Sequence, residues 1–93
     1  MKFVLLGSID KEWAAKQARR TEMARDKAKE LGIKIESVYY TQGEYDFVDI
    51  ADAPSPEAML AFSVWYATKG LGRITTMPAF DEKAFVAATE KAK

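Results

Sequence analysis

Residues 33–42 and 45–51 are two runs rich in β-branched and aromatic side chains, and only Gly43-Glu44 separates them. Two such runs around a glycine-containing pair read as a β-hairpin. The hairpin fixes the middle of the chain, and the other elements are read on either side of it. Residues 3–7 form a short apolar strand. A helix then spans residues from 10 or 11 to 31, with a possible break at 19–21. Its inward stripe is Ala14, Ala18, Thr21, Ala24, Ala28 and Leu31, spaced three or four apart. Asp10 suits its N-cap and Gly32 the left-handed position after its end.

After the hairpin, Ala53-Pro54-Ser55-Pro56-Glu57 stops a strand and starts a helix. Ser55 is a capping residue, Pro56 suits the first helical position, and Glu57 complements the helix dipole in the first turn. This helix runs to about residue 69 and ends at Gly70. Residues 72–80 form a strand with Pro78 near its end, which marks an edge or a terminus. Asp81 caps a last helix over 82–91 with Phe85, Val86 and Thr89 on its apolar side. The order β-α-β-β-α-β plus a terminal helix predicts an α+β ferredoxin-like plait. Its single four-stranded antiparallel sheet has both long helices on one face, and right-handed crossovers put the first and third strands in the middle.

Composition sets limits on function. The chain has 93 residues, which suits one domain over 1–93 and a thin core. It has no Cys and no His. That removes thiolate and imidazole metal sites, the cysteine nucleophile and the commonest general base. Fourteen basic residues balance fourteen acidic ones, which argues against a polyanion-binding protein. There is no phosphate loop or dinucleotide fingerprint, so no cofactor is called for, and the dispersed carboxylates support no metal cage. No secretory h-region or membrane-length apolar run is present, which makes the cytoplasm the default compartment.

Strand parity assigns the hairpin's faces. A two-residue turn pairs Gln42 with Tyr45, Tyr40 with Phe47 and Val38 with Asp49. The other side carries Ile33, Ile35, Ser37, Tyr39 and Thr41 with Asp46, Val48 and Ile50, and this side is expected under the helices. It turns polar at the hairpin end, where Asp46 either accepts hydrogen bonds from the turn and Thr41 or walls a pocket with Tyr39 and Thr41. The opposite face, with Val38, Tyr40, Tyr45 and Phe47, is expected to pack on a second copy or to stack on a ligand. RNA is one such ligand, because Gly43-Glu44-Tyr45-Asp46-Phe47-Val48-Asp49-Ile50 imitates an RRM strand motif and Phe3 could add a ring. Against RNA stand Gln42 in the basic position, the charges of Asp46 and Asp49, and the neutral chain.

The run Ser37-Val38-Tyr39-Tyr40-Thr41-Gln42-Gly43-Glu44-Tyr45-Asp46-Phe47-Val48, with Ala53-Pro54 after it, resembles the GYD-domain family. Residues Arg73-Ile74-Thr75-Thr76-Met77-Pro78-Ala79-Phe80 resemble that family's closing strand. Glu44 interrupts the eponymous tripeptide, and Trp13 and Lys27 are untypical. The resemblance implies a subunit of the dimeric α/β-barrel superfamily, whose sheets pack face to face. Related families include cofactor-free monooxygenases, muconolactone-type isomerases and haem enzymes, and the last group lacks its axial histidine here.

Three functions follow as alternatives. The first is a homodimeric small-molecule binder or cofactor-independent enzyme with a sheet–helix pocket. There Asp46 would be the general base, Tyr39 a donor, Thr41 and Thr76 orienting groups and Arg73 an anion clamp. Arg73 and Thr76 differ in parity, so both reach one pocket only past a bulge or strand end. Met59, Phe62 and Trp65 would close the cavity, while Trp13, Trp65 and Tyr66 also suit ordinary helix-to-sheet packing. The second is a structural or regulatory oligomer, and the third an RNA-binding module.

Overall fold

The chain forms β1 (Lys2–Ile9), α1 (Gln17–Glu30), β2 (Lys34–Tyr40), β3 (Phe47–Asp52), α2 (Pro56–Thr68), β4 (Gly72–Pro78) and α3 (Glu82–Lys91) in a computed structural model that describes residues 1–93. The strands make one antiparallel sheet in the order β2-β3-β1-β4, with β1 and β3 central as the crossover rule requires. This is the α+β ferredoxin-like plait that the element order predicts. No helix is long and apolar enough to cross a membrane.

Local chemistry sets the helix ends. Ser55 Oγ accepts the Ala58 N–H at 3.1 Å, and an Asp81 carboxylate oxygen accepts the Ala84 N–H at 2.8 Å. The helices that cover the sheet stop alike. Gly32 and Gly70 sit at φ +74° and +70°, where a side chain would be strained. The next N–H reaches back in each case, Ile33 to the Ala28 carbonyl at 2.8 Å and Leu71 to the Tyr66 carbonyl at 3.2 Å. Those are Schellman closures, and both residues that make them are buried.

α1 begins later than its periodicity predicts. Asp10 accepts the Glu12 N–H on its side chain at 3.0 Å and the Trp13 N–H on its carbonyl at 2.8 Å. It therefore closes a turn instead of capping the helix, and the cap position falls to Lys16, which offers no capping side chain. Ala14 and Ala18 are exposed, and the inward line becomes Arg20, Ala24 and Ala28. The line keeps the four-residue spacing, with an arginine at its head.

The hairpin keeps its predicted register, Tyr40 opposite Phe47 and Val38 opposite Asp49. Residues 41–46 form a loop, closed where the Thr41 N–H meets the Asp46 carbonyl at 2.8 Å. The faces, however, are exchanged. Phe47 is 4% exposed beneath the helices, and Val38 and Tyr40 share its side. Tyr39, Val48 and Ile50 point to the bare side. Two features produce the exchange. Gly7 of β1 leaves room for the Phe47 ring on the helix side, since a Cβ on Gly7 would lie 1.9 Å from the ring's Cζ. A register shift between Ile35 and Ser37 then returns Ile35 to that same side.

The core lies between sheet and helices. Phe3, Leu5, Ala51, Met59 and Phe62 form its larger part, and Phe47, Tyr66 and Leu71 a second cluster. The other face carries Val4, Leu6, Val48, Ile50, Tyr39 and Met77 with no helix over it. α3 packs against no other element and buries no residue. The molecule is correspondingly elongated, 49 × 30 × 20 Å.

Candidate functional site

Between α1 and the β2–β3 ribbon lies a cavity of about 50 Å³, walled by Ala24, Ile35, Val38, Phe47 and Phe62, with Arg20, Tyr40 and Asp49 among its polar members and Thr21 and the exposed Arg25 beside them. Its position follows from the alanine spacing of α1. Small residues bring the helix close to the sheet, and Arg20, four residues before Ala24, is carried inside with them. Arg20 is 4% exposed. Its guanidinium lies 5.8 Å from the Phe47 ring centroid, a cation–π distance.

The guanidinium organises a polar network. One terminal nitrogen of Arg20 donates to the Tyr66 hydroxyl at 3.4 Å, and the other donates to the Gln17 side-chain oxygen. Gln17 Nε2 donates in turn to the Tyr40 hydroxyl at 2.6 Å. Arg20 Nε has no partner, and neither has Asp49 Oδ1, although both atoms are buried. Buried polar atoms are nearly always paired, so two unpaired ones beside one cavity point to a site that something else completes.

Burial pushes the Asp49 carboxyl up to about 6, against the opposing pull of the Arg20 charge. Burial also pushes Tyr66 up, despite Arg20. Tyr40 goes the other way: burial alone would raise it, but the hydrogen bond from Gln17 and the neighbouring Arg20 charge hold it below the usual phenol value. The cavity thus holds a fixed cation, a carboxyl that titrates near neutrality and an acidified phenol. Such a set can fix an anionic oxygen and move a proton. No three His, Cys, Asp or Glu side chains converge anywhere to offer a metal cage.

The site residues expected from sequence are not gathered here. Tyr39 is 69% exposed on the bare face. Thr41 lies in the hairpin loop, where its hydroxyl donates to the Tyr45 carbonyl at 2.6 Å. Asp46 accepts the Ile9 N–H at 2.7 Å, and its own N–H donates to the Gly7 carbonyl at 2.7 Å, so it fastens the loop to the end of β1. Arg73 is exposed opposite Ser8, and its N–H donates to the Ser8 hydroxyl at 3.2 Å. Thr76 faces the helices opposite Leu5, its buried hydroxyl unpartnered. Arg73 and Thr76 therefore stand on opposite faces, as their parity requires.

Of the residues expected between subunits, Val38 and Tyr40 wall the cavity and Phe47 floors it, while Tyr45 is half-buried in the loop. Phe62 lines this cavity, which is not the Tyr39–Thr41–Asp46 pocket it was expected to close; Met59 lies in the core and Trp65 stacks on Phe62 at 5.8 Å. The rings that would have stacked on RNA, Phe3 and Phe47, are 2% and 4% exposed beneath the helices, so the RRM-like reading loses its platform. Arg20 and Asp49 escape a sequence reading that looks for apolar stripes. The phase of Ala24 and Ala28 points to Arg20, and the pairing of Gly7 with Phe47 is the signal for the strand's orientation.

Comparison with known proteins adds a family and a fold. A family model described as the GYD domain matches residues 10–89. No curated protein matches the sequence. Among solved structures, a 5-chloro-2-hydroxyhydroquinone dehydrochlorinase from Burkholderia phenoliruptrix AC1100, in complex with 2,5-dihydroxybenzoquinone, superposes with a TM-score of 0.62 at 14% identity. The match covers 90% of this chain and 98% of that one, and it shows a shared fold.

Proposed function

The chain belongs to the GYD domain family, and from that premise we propose that it binds a small oxygen-rich organic anion in the cavity between α1 and the sheet. The observation that carries this reading is the pair of buried unpartnered atoms, Arg20 Nε and Asp49 Oδ1, beside one cavity. Arg20 would hold the ligand's anionic oxygen, and the apolar walls would take its carbon skeleton. The cavity has room for water at about 50 Å³ but not for a ring, so entry requires the β2 edge to open. Tyr40 and Val38, 54% and 36% exposed, are the side chains that would turn aside.

The chemistry this set suits is cofactor-independent proton transfer. The ionised Asp49 carboxylate would take a proton from a carbon next to a carbonyl. Arg20 would stabilise the enolate oxygen that forms, and the protonated Asp49 would return the proton elsewhere on the same molecule. The fold neighbour's bound molecule, 2,5-dihydroxybenzoquinone, is an oxygen-rich ring of the kind such a site would accept, which makes it a sensible first probe. Binding can be followed by calorimetry. Wild type should bind saturably, and Asp49→Asn and Tyr40→Phe should each weaken the interaction at least tenfold while remaining folded. Equal affinity in all three would place any ligand elsewhere.

The protein is further proposed to act as a homodimer, with the bare sheet face as its interface. That face presents Val4, Leu6, Val48 and Ile50 in adjacent strands, with Tyr39 and Met77 flanking them. A contiguous apolar surface of this kind is rarely left in water. The competing reading, a non-catalytic structural or regulatory oligomer, draws on the small size of the cavity. It would be favoured if neither dihydroxyquinones nor simple keto acids bind the wild-type protein.

A further inference from the structure

We propose that α3 is an exchange arm: in the homodimer, the apolar side of each C-terminal helix packs against the bare sheet of the other copy. The inference rests on the homodimer reading above and extends it to a segment that the reading does not use. α3 is a properly started helix, capped by Asp81, yet it touches no other element of its own chain and buries nothing. Phe80, Phe85 and Val86 are 76%, 67% and 52% exposed. A short amphipathic helix has little stability in isolation and is normally held by what its apolar side covers.

The surface arithmetic says how much is missing. A compact monomer of 10.4 kDa exposes about 5,400 Å². This chain exposes 6443 Å². The excess, about 1,000 Å², is close to the roughly 800 Å² that each partner contributes to a stable standard interface. The radius of gyration agrees, at 14.6 Å where a compact chain of this length would have about 12 Å.

A second copy is the occupant these features fit. The chain carries two unpartnered apolar surfaces, the α3 stripe and the bare sheet face, and a two-fold axis lets each copy supply what the other lacks. The remaining side chains of α3 include Glu82, Lys83, Glu90 and Lys91, which mix both signs. That mixture suits neither an anionic membrane nor a nucleic acid, both of which call for a basic face.

The test uses the full chain. Phe85→Glu with Val86→Glu changes exposed residues of a helix that packs against no other element of its own protomer, so circular dichroism and the thermal midpoint of the dilute protomer should not move. Light scattering over a dilution series should show the dimer dissociation constant raised at least tenfold. The chain has no cysteine, so Phe85→Cys can carry a nitroxide at a single position. Mixed with isotope-labelled, unmodified copies, it should broaden their Val4, Val48 and Ile50 amides. A dimer whose dissociation constant is unchanged by the double substitution overturns the arm and leaves the homodimer standing. A wild-type chain that stays monomeric at every concentration overturns both.

Discussion

The two faces of the sheet divide the chain's polar chemistry unequally. Under the helices, a guanidinium at 4% exposure shares a cavity with a half-buried carboxyl raised to about 6. On the bare face the charges sit at the rim and pair in water, as where the Lys2 ammonium meets the Glu36 carboxylate at 2.5 Å. There the Asp52 carboxyl is held low by its hydrogen bond to the Met1 amine. Those two rim pairs are partnered in water, where such pairs count for little. Under the helices the Asp49 carboxyl is displaced from its usual range, and it and Arg20 are incompletely partnered, which is the combination expected of a working site.

The largest effect should come from removing the cation of the covered face. Arg20→Ala strips the hydrogen bonds to Tyr66 and Gln17 and uncovers Phe47. We expect a loss of about 3 kcal/mol in urea unfolding, comparable to breaking other buried charged networks. A loss below about 1 kcal/mol would mean that the cavity is open to water and the contrast between faces is overstated.

Asp49 gives the next effect, and its sign is unusual for a carboxylate. Its value rises to about 6 in the fold from an ordinary value near 4, so the folded chain holds the proton more tightly than the unfolded one. Its contribution to stability is fully present below about pH 4 and is lost as pH climbs through about 6. Asp49→Asn should therefore stabilise the protein at pH 7.5, by on the order of 2 kcal/mol, and flatten the stability profile between those limits. A steep profile persisting in the variant would assign the titration to another group.

Much of this was legible from residues alone. Element order, the Ser55 and Asp81 caps, the glycines that end α1 and α2, and the Tyr40–Phe47 register all follow from local rules acting over a few residues. Which side of the hairpin faces the helices does not. Parity says which side chains travel together, not which way they point, and both sets are apolar enough to be inside. The decision is made at a distance, by Gly7 on another strand and by the irregularity at Ile35–Ser37. The site inherits that uncertainty. Tyr39 and Tyr40 are neighbours, and the exchange of faces sends one to the bare surface and the other into the polar network.

Smaller effects sharpen the contrast. Tyr40→Phe removes a hydroxyl at the rim of the covered face and should cost about 1 kcal/mol, read from thermal unfolding, because one hydrogen bond to Gln17 is lost. Tyr39→Lys on the bare face should change protomer stability by less than about 0.5 kcal/mol, since the ring is 69% exposed. It should nevertheless weaken the dimer in light scattering. If Tyr39→Lys unfolds the protomer instead, the bare face is holding the fold together and not a partner.

The Phe47 ring resting on Gly7 also bears on how such a chain can evolve. The two positions form one composite choice, because any side chain at 7 collides with any large ring at 47. Lineages that acquire bulk in the first strand should show a reduced residue in the third, and the order of change is constrained: the ring must shrink before the glycine can be replaced.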